Sequence, residues 1–232
     1  MKQKETLLNT TENKNSDMED QHEDHHLFSM ETPLRADAFE LDDELKIELI
    51  QKHFKEIMLI LGLDLNDDSL KGTPNRVAKM YVKEMFKGLD PKNIPEAKLF
   101  ENKFKYKNIL LEKNISFHSV CEHHFVPIIG KAHVAYIPNG SVVGLSKLNR
   151  IVRYFAQRPQ VQERMTIQIA NMLKDVLHTQ DVAVIIEADH MCVAMRGVQD
   201  ITSSTVTAEY GGKFQDAKTR EELMRMITLD NK

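Results

Sequence analysis

The order in which the hydrophobic period changes along this chain is its strongest constraint. Helical spacing comes first, alternation next, two more helical stretches follow, then alternation returns before a last helix. Between Asp42 and Leu61 the apolar residues Leu45, Leu49, Phe54, Ile57, Met58 and Leu61 recur at helical spacing, and Gly62 supplies a stop. A second helix is predicted from Thr73, read as the N-cap ahead of Pro74, to Gly88, with Val77, Tyr81 and Met85 on its apolar face. Pro91 and Pro95 then mark a loop. Strands are predicted over Asn108–Val120 and Ile128–Ile137, and the turn Pro138-Asn139-Gly140 suits a return strand at Ser141–Gly144. Two helices, Ser146–Gln157 and Gln160–His178, are broken at Pro159. Strands return at Val182–Ala188, Met191–Met195 and Ser203–Tyr210, and Asp216–Leu229 closes the chain as a helix. Segregated rather than alternating order predicts an α+β fold, an antiparallel sheet covered on one face by two antiparallel helices and preceded by N-terminal helices.

Charge is as segregated as the periodicity. Residues 1–30 carry three Lys and seven Asp/Glu, so the whole formal charge of −4 sits there and the remainder is balanced. Residues 1–38 read as a disordered acidic tail, too poor in apolar side chains to offset the entropy of ordering. His22, His25 and His26 belong to that solvated run rather than to a metal site. A balanced core argues against nucleic acid as a partner and requires a local basic cluster for any anionic ligand. Apolar runs are only a few residues long and the first 30 residues are polar, so neither a membrane span nor a secretory signal is expected. Two cysteines cannot make a disulfide framework and suit a reducing compartment, so a cytoplasmic protein is expected.

Both cysteines sit beside histidines at predicted strand edges. Cys121-Glu122-His123-His124 ends one strand, and His190-Met191-Cys192 lies at a strand break 71 residues later. A tight turn can aim Cys121 and His124 at one ion. Cys192 completes two thiolates and one imidazole, a catalytic zinc set with a position left for water. Zinc so held lowers the pKa of its water and makes hydroxide available near neutral pH. His123 and His190 remain, and an imidazole's ordinary pKa suits proton transfer. His118 and His133 read as ordinary sheet residues.

Three further groups can meet a substrate. Ser146, Lys147, Arg150 and Arg153 open a helix after Gly144, where a hydroxyl, cations and the helix N-terminus suit phosphate, although a solvated basic face has the same composition. Gln162 and Glu163 open the next helix. An amide beside a carboxylate can read a purine edge, and Glu in a first turn is also plain helix chemistry. Arg196 follows Cys192 closely enough to meet an anion, while Arg76 on spacing alone is a surface residue.

Ser119-Val120-Cys121-Glu122-His123-His124, Gly144 to Arg150, Arg158 to Arg164, and His190-Met191-Cys192 with Arg196-Gly197 together resemble GTP cyclohydrolase I, in order and spacing, from about Leu41 to the C-terminus. The resemblance implies Zn²⁺-dependent hydrolysis and rearrangement of GTP to 7,8-dihydroneopterin triphosphate and formate, the first step of folate and biopterin synthesis. It implies Cys121, His124 and Cys192 as zinc ligands and His123 and His190 as acid/base groups, with His123 favoured at guanine N7 and His190 on the ribose side. Glu163 and Gln162 match the guanine anchor, and Ser146, Lys147, Arg150 and Arg196 match the triphosphate contacts. Arg76 matches an arginine lent by a neighbouring subunit, which replaces the surface reading. The implied fold is the tunnelling fold, with a helical part over residues 39–95 and a core over 105–232 forming one catalytic domain. The implied assembly is a homodecamer of two stacked pentamers with active sites at subunit interfaces.

Rival readings are a structural zinc module, a zinc deaminase of the nucleoside type, and a tunnelling-fold relative with altered chemistry such as a nitrile reductase or pterin synthase. The first needs a fourth protein ligand and no third cysteine exists; the second needs His-x-Glu with Pro-Cys-x-x-Cys, which is absent. The intact Cys-Glu-His-His and Gln-Glu set favours GTP over the third.

Overall fold

A computed structural model of the chain describes residues 31–229. The acidic stretch with its three histidines lies outside the described residues, and residues 31–38 carry neither helix nor strand. Helix α1, Asp43–Ile60, opens under an Asp42 cap whose carboxylate accepts from Leu45 N at 2.8 Å. It ends two residues before Gly62, whose φ of +81° takes the chain into the left-handed region. Its buried residues are Ile47 and Met58, while Ile57 and Leu61 of the expected apolar face are exposed. Helix α2, Thr73–Met80, carries Pro74 in its first turn and is capped by Gly72 rather than by a Thr73 side chain. It continues as a π-helical turn over Tyr81–Met85. The proline-marked loop holds two short 3₁₀ turns, Lys87–Leu89 and Pro91–Asn93.

Strands β1 (Leu99–Glu101), β2 (Leu110–Cys121), β3 (Pro127–Tyr136) and β4 (Ser141–Val143) follow. Helix α3 (Leu145–Ala156), strand β5 (Pro159–Gln160) and helix α4 (Gln162–Leu177) make up the predicted helix pair and its break. Strand β6 (Val182–His190), the short helix α5 (Met191–Ala194), strand β7 (Thr205–Tyr210) and helix α6 (Ala217–Thr228) complete the chain. The main sheet has the order β5-β2-β3-β6-β7, antiparallel throughout except for β5, which runs parallel to β2. Among the described residues no helix is long and apolar enough to cross a membrane.

Two expectations are corrected. The return strand β4 does not pair with β3; it pairs with β1, a short segment that lacked enough alternation to be read as a strand. Met191–Met195 is a helical turn, not a strand. It follows His190, the last residue of β6 to pair with β3, and a run of four apolar residues fits either period.

The sheet's inner face is apolar at every second residue. Phe117, Ala132, Val134, Tyr136, Val184 and Ile186 pack against Leu148, Ile151, Val152, Met165, Ile169 and Leu173 of the helix pair. The intervening residues Ala135, Ala183 and Ile185 form a second cluster with Phe214 and Leu223, so α6 covers part of the opposite face. This two-sided burial explains why β6 reads as a nearly continuous apolar run. Of the two histidines assigned to the sheet, His118 is exposed and His133 is buried. His133 Nδ1 accepts from Asn114 N at 3.4 Å, at a bulge in β2, and burial lowers its pKa.

The N-terminal helices are docked to the core through Gly88. Its N–H donates to Gln157 O at 2.9 Å, and an added Cβ would lie 2.0 Å from Tyr154 O. Backbone cannot yield as a side chain can. Gly88→Ala should therefore destabilise the chain by about 2 kcal/mol, read as a lower urea midpoint at unchanged slope.

Candidate metal centre

The sheet register places the two cysteine segments side by side. Strand β3 lies between β2 and β6, with Val120 opposite Pro127 on one side and His190 opposite Ile128 on the other. Both strands therefore finish at the same end of the sheet. There the donor atoms of Cys121, His124 and Cys192 lie within 4.8 Å of one another. Cys121 is buried, Cys192 half-buried and His124 exposed.

A turn after β2 brings His124 back over Cys121. Phe125 N donates to Cys121 O and Cys121 N to Val126 O, each at 2.9 Å, and Phe125 has a left-handed φ of +53°. Glu122 N donates to Gln160 O at 3.1 Å, which ties the turn to β5. Pro159 thus does more than break the helix pair; it starts a segment that pairs with the strand carrying Cys121.

Burial raises the Cys192 thiol above the ordinary range, and the neighbouring Cys121 raises it further. Two thiolates this close disfavour each other's charge unless a cation joins them. The residues present, two soft sulfur donors and an imidazole at one point, fit a zinc ion. His123 lies beside them with Nδ1 3.7 Å from Cys121 Sγ. Arg196 donates to His124 Nε2 at 2.6 Å.

His190 is fixed from the helix side. Gln162 is fully buried, and its amide nitrogen donates to Thr205 O at 2.9 Å, Ile186 O at 3.2 Å and Thr207 Oγ1 at 3.2 Å. Its oxygen must then accept the 2.7 Å bond from His190 Nε2, which leaves Nδ1 as the basic nitrogen of the neutral ring. Burial lowers the His190 pKa, while Glu163 and Asp189 pull it upward. Glu163 itself is exposed in the first turn of α4.

The remaining predicted residues lie on other elements. Ser146, Lys147 and Arg150 occupy the first two turns of α3, and Ser146 and Lys147 line a groove of about 500 Å³ with Glu96, Lys98 and Phe100. Arg76 is exposed on α2 and donates to Ser69 O at 3.0 Å and Thr73 Oγ1 at 2.9 Å.

One pair escaped the sequence reading. Arg164 forms a two-pronged ion pair with Glu122, Nη1–Oε2 at 2.6 Å and Nη2–Oε1 at 3.0 Å, and its side chain is only 3% exposed. The available signal was an arginine immediately before Met165, on the buried side of an apolar helix, and a carboxylate inside the Cys-x-x-His turn.

The family model of GTP cyclohydrolase I matches residues 50–228. The GTP cyclohydrolase 1 of Flavobacterium johnsoniae is 57% identical over 217 residues, covering 93% of this chain and 97% of that protein. The GTP cyclohydrolase 1 of Citrobacter koseri is 53% identical over 203 residues, covering 87% and 91%. Among solved structures, the crystal structure of the archaeosine synthase QueF-Like in the apo form aligns with a TM-score of 0.40 at 18% identity, over 47% of this chain and 97% of that one.

The thiol electrostatics are directly measurable. In chelator-treated protein, the pH–rate profile for alkylation of Cys192 should have its midpoint above that of free cysteine. Cys121→Ser should lower that midpoint by removing the second source of negative charge.

Proposed function

The chain belongs to the GTP cyclohydrolase I family, and from that membership we propose that it is a zinc enzyme opening GTP at C8 and yielding 7,8-dihydroneopterin triphosphate and formate. The observation that carries this reading is the convergence of Cys121, His124 and Cys192 within 4.8 Å, with His123 against Cys121 and His190 at the end of the strand two residues before Cys192. Those three residues would hold the ion. Zinc there supplies acidified water near neutral pH, the nucleophile that loss of C8 as formate requires.

The chain's own groups do the rest. Guanine must be held so that C8 lies at the metal. Glu163 suits that role, because an exposed carboxylate in a helix's first turn can accept from the ring N–H and the exocyclic amino group. Opening the imidazole ring needs a proton at N7, assigned to His123, whose exposed ring stands next to the sulfur donors. Ribose opening and rearrangement need a base that becomes an acid. His190 suits this because burial favours its neutral form and one ring nitrogen is already engaged. Ser146, Lys147, Arg150 and Arg196 would meet the triphosphate, together with Arg76 lent by a neighbouring subunit. The exposure of Arg76 supports that last assignment.

The wider reading follows the same family. Residues 39–232 form the catalytic domain and residues 1–38 a tail; the working form is a cytoplasmic homodecamer of two stacked pentamers. The product feeds pterin and folate synthesis.

Purified protein incubated with GTP should release formate together with a pterin that fluoresces after oxidation. Both should vanish on chelation and return with zinc. His123→Ser and His190→Ala should each lower turnover by about 10²-fold or more with zinc still bound, whereas Glu163→Gln should chiefly raise KM for GTP. Tightly bound zinc with neither product would overturn the proposal.

A further inference from the structure

The first turn of α4 presents three consecutive polar side chains to three different surroundings. Successive residues point about 100° apart around a helix, so Gln162 and Arg164 diverge to opposite sides with Glu163 between them. Gln162 reaches β6 and β7 and ends on His190; Arg164 reaches the turn after β2 and ends on Glu122; Glu163 is exposed. Gln162 and Arg164 are nearly inaccessible to solvent, at 1% and 4% exposure. Each end of the Gln162 amide is bonded to protein, and both terminal nitrogens of Arg164 reach the same carboxylate.

We propose that this turn is a positioning clamp for the Cys121–His124 ligand turn and for the His190 imidazole. Arg164 fixes the Cys121–His124 turn through Glu122, and Gln162 fixes His190 two residues before Cys192. The separation between the ligand turn and the proton-transfer histidine is thus set by a single rigid helical turn. With its amide nitrogen bonded to β6 and β7 and its oxygen to His190, Gln162 is assigned to the imidazole rather than to the guanine anchor that the resemblance implies, and recognition of the base falls to Glu163. Both are positioning residues and neither touches substrate. The clamp rests on the zinc reading above and deepens it.

A two-pronged guanidinium–carboxylate pair holds orientation as well as distance, which a lysine at the same place could not do. Supporting groups of this kind are commonly worth about 10–100-fold in metal affinity or activity. The two arms also make different predictions, because one holds a metal ligand segment and the other a proton-transfer group.

The test combines zinc affinity, by competition with the chromogenic chelator 4-(2-pyridylazo)resorcinol, with steady-state GTP kinetics on the full chain. Arg164→Met should weaken zinc binding about 10–100-fold. That variant leaves Glu122 unpaired and can fail to fold, so the double variant Glu122→Gln/Arg164→Met is made alongside it. Removing both charges should recover the melting temperature but not the zinc affinity. Gln162→Leu should lower kcat by about 10-fold or more while KM for GTP and zinc affinity stay within about 3-fold. Wild-type zinc affinity in the double variant would overturn the clamp, as would a Gln162→Leu variant with raised KM and normal kcat, the signature of a guanine contact. Wild-type protein that neither competes for zinc nor releases formate would overturn the zinc reading and the clamp with it. Zinc binding and formate release unaffected in every variant would overturn the clamp alone.

Discussion

The register of β3 against its two neighbours is the constraint on which the rest of the site depends. Cys121 ends β2 and Cys192 follows the end of β6, two strands that do not pair with each other, and the two segments converge because β3 pairs with both. The side-chain period of a strand is two, so a slip of one residue on either side would carry the ligand segment to the wrong face. What prevents the slip is the apolar pattern itself. Ala132, Val134 and Tyr136 face the helix pair while Ala135 faces Phe214 and Leu223, and a one-residue slip would exchange the two sets. The convergence of Cys121, His124 and Cys192 is therefore specified by hydrophobic packing some distance from it, and the thiols inherit their geometry.

Burial near the site creates a second demand, since polar groups removed from water need partners. Arg164 and Gln162 meet it by bonding to the turn after β2 and to the end of β6. Elsewhere the same demand is met locally and only in part: Gln160 Nε2 donates to Phe155 O and Gln168 Oε1 while its Oε1 finds no partner among the described residues, and the Arg158 guanidinium lies 4.4 Å from the centre of the Tyr154 ring and 4.7 Å from that of Phe155 with its Nε unbonded. The contrast matters. A buried polar residue that bonds within its own neighbourhood stabilises packing, whereas one that reaches across to a ligand turn transmits the rigidity of a helix to it.

How much of this could be read from the residues follows from the range of the interactions involved. Helix α1, the helix pair and the long strands were legible because periodicity is a local property, and Asp42 and Gly62 bracket α1 with ordinary cap and stop chemistry. The metal trio was legible because Cys-x-x-His needs one turn and because a chain with two cysteines has few ways to complete a set. The pairing of β4 with β1 was not, since three residues such as Leu99–Glu101 carry too little pattern and the partner is forty residues away. Nor was the orientation of α1: its apolar residues spread round the helix, and only packing decides that Ile47 and Met58 go inward while Ile57 stays out. Gln162 and Arg164 illustrate the same limit. Their residue types were visible, but their bonds to His190 and Glu122 join residues 28 and 42 positions apart, beyond the reach of any local pattern.

The turn from Cys121 to Phe125 shows how one short segment divides labour by burial. Its first residue is buried with the core, its second is half-buried against Arg164, and its third and fourth are exposed imidazoles. A gradient this steep within four residues requires a sharp reversal, and Phe125 provides it in a backbone region that costs a non-glycine residue about 1 kcal/mol or more. A glycine would adopt that conformation more readily but would forfeit the ring. The Phe125 ring lies edge-on to Phe86 at 5.5 Å, and Phe86 in turn contacts Tyr81 at 5.1 Å in the π-helical turn. The strained turn is thereby braced by the N-terminal helices, which Gly88 holds against α3. Those helices are accordingly part of the site's support rather than an appendage to the sheet: they stabilise the backbone reversal that lets a buried thiol and an exposed imidazole face the same point.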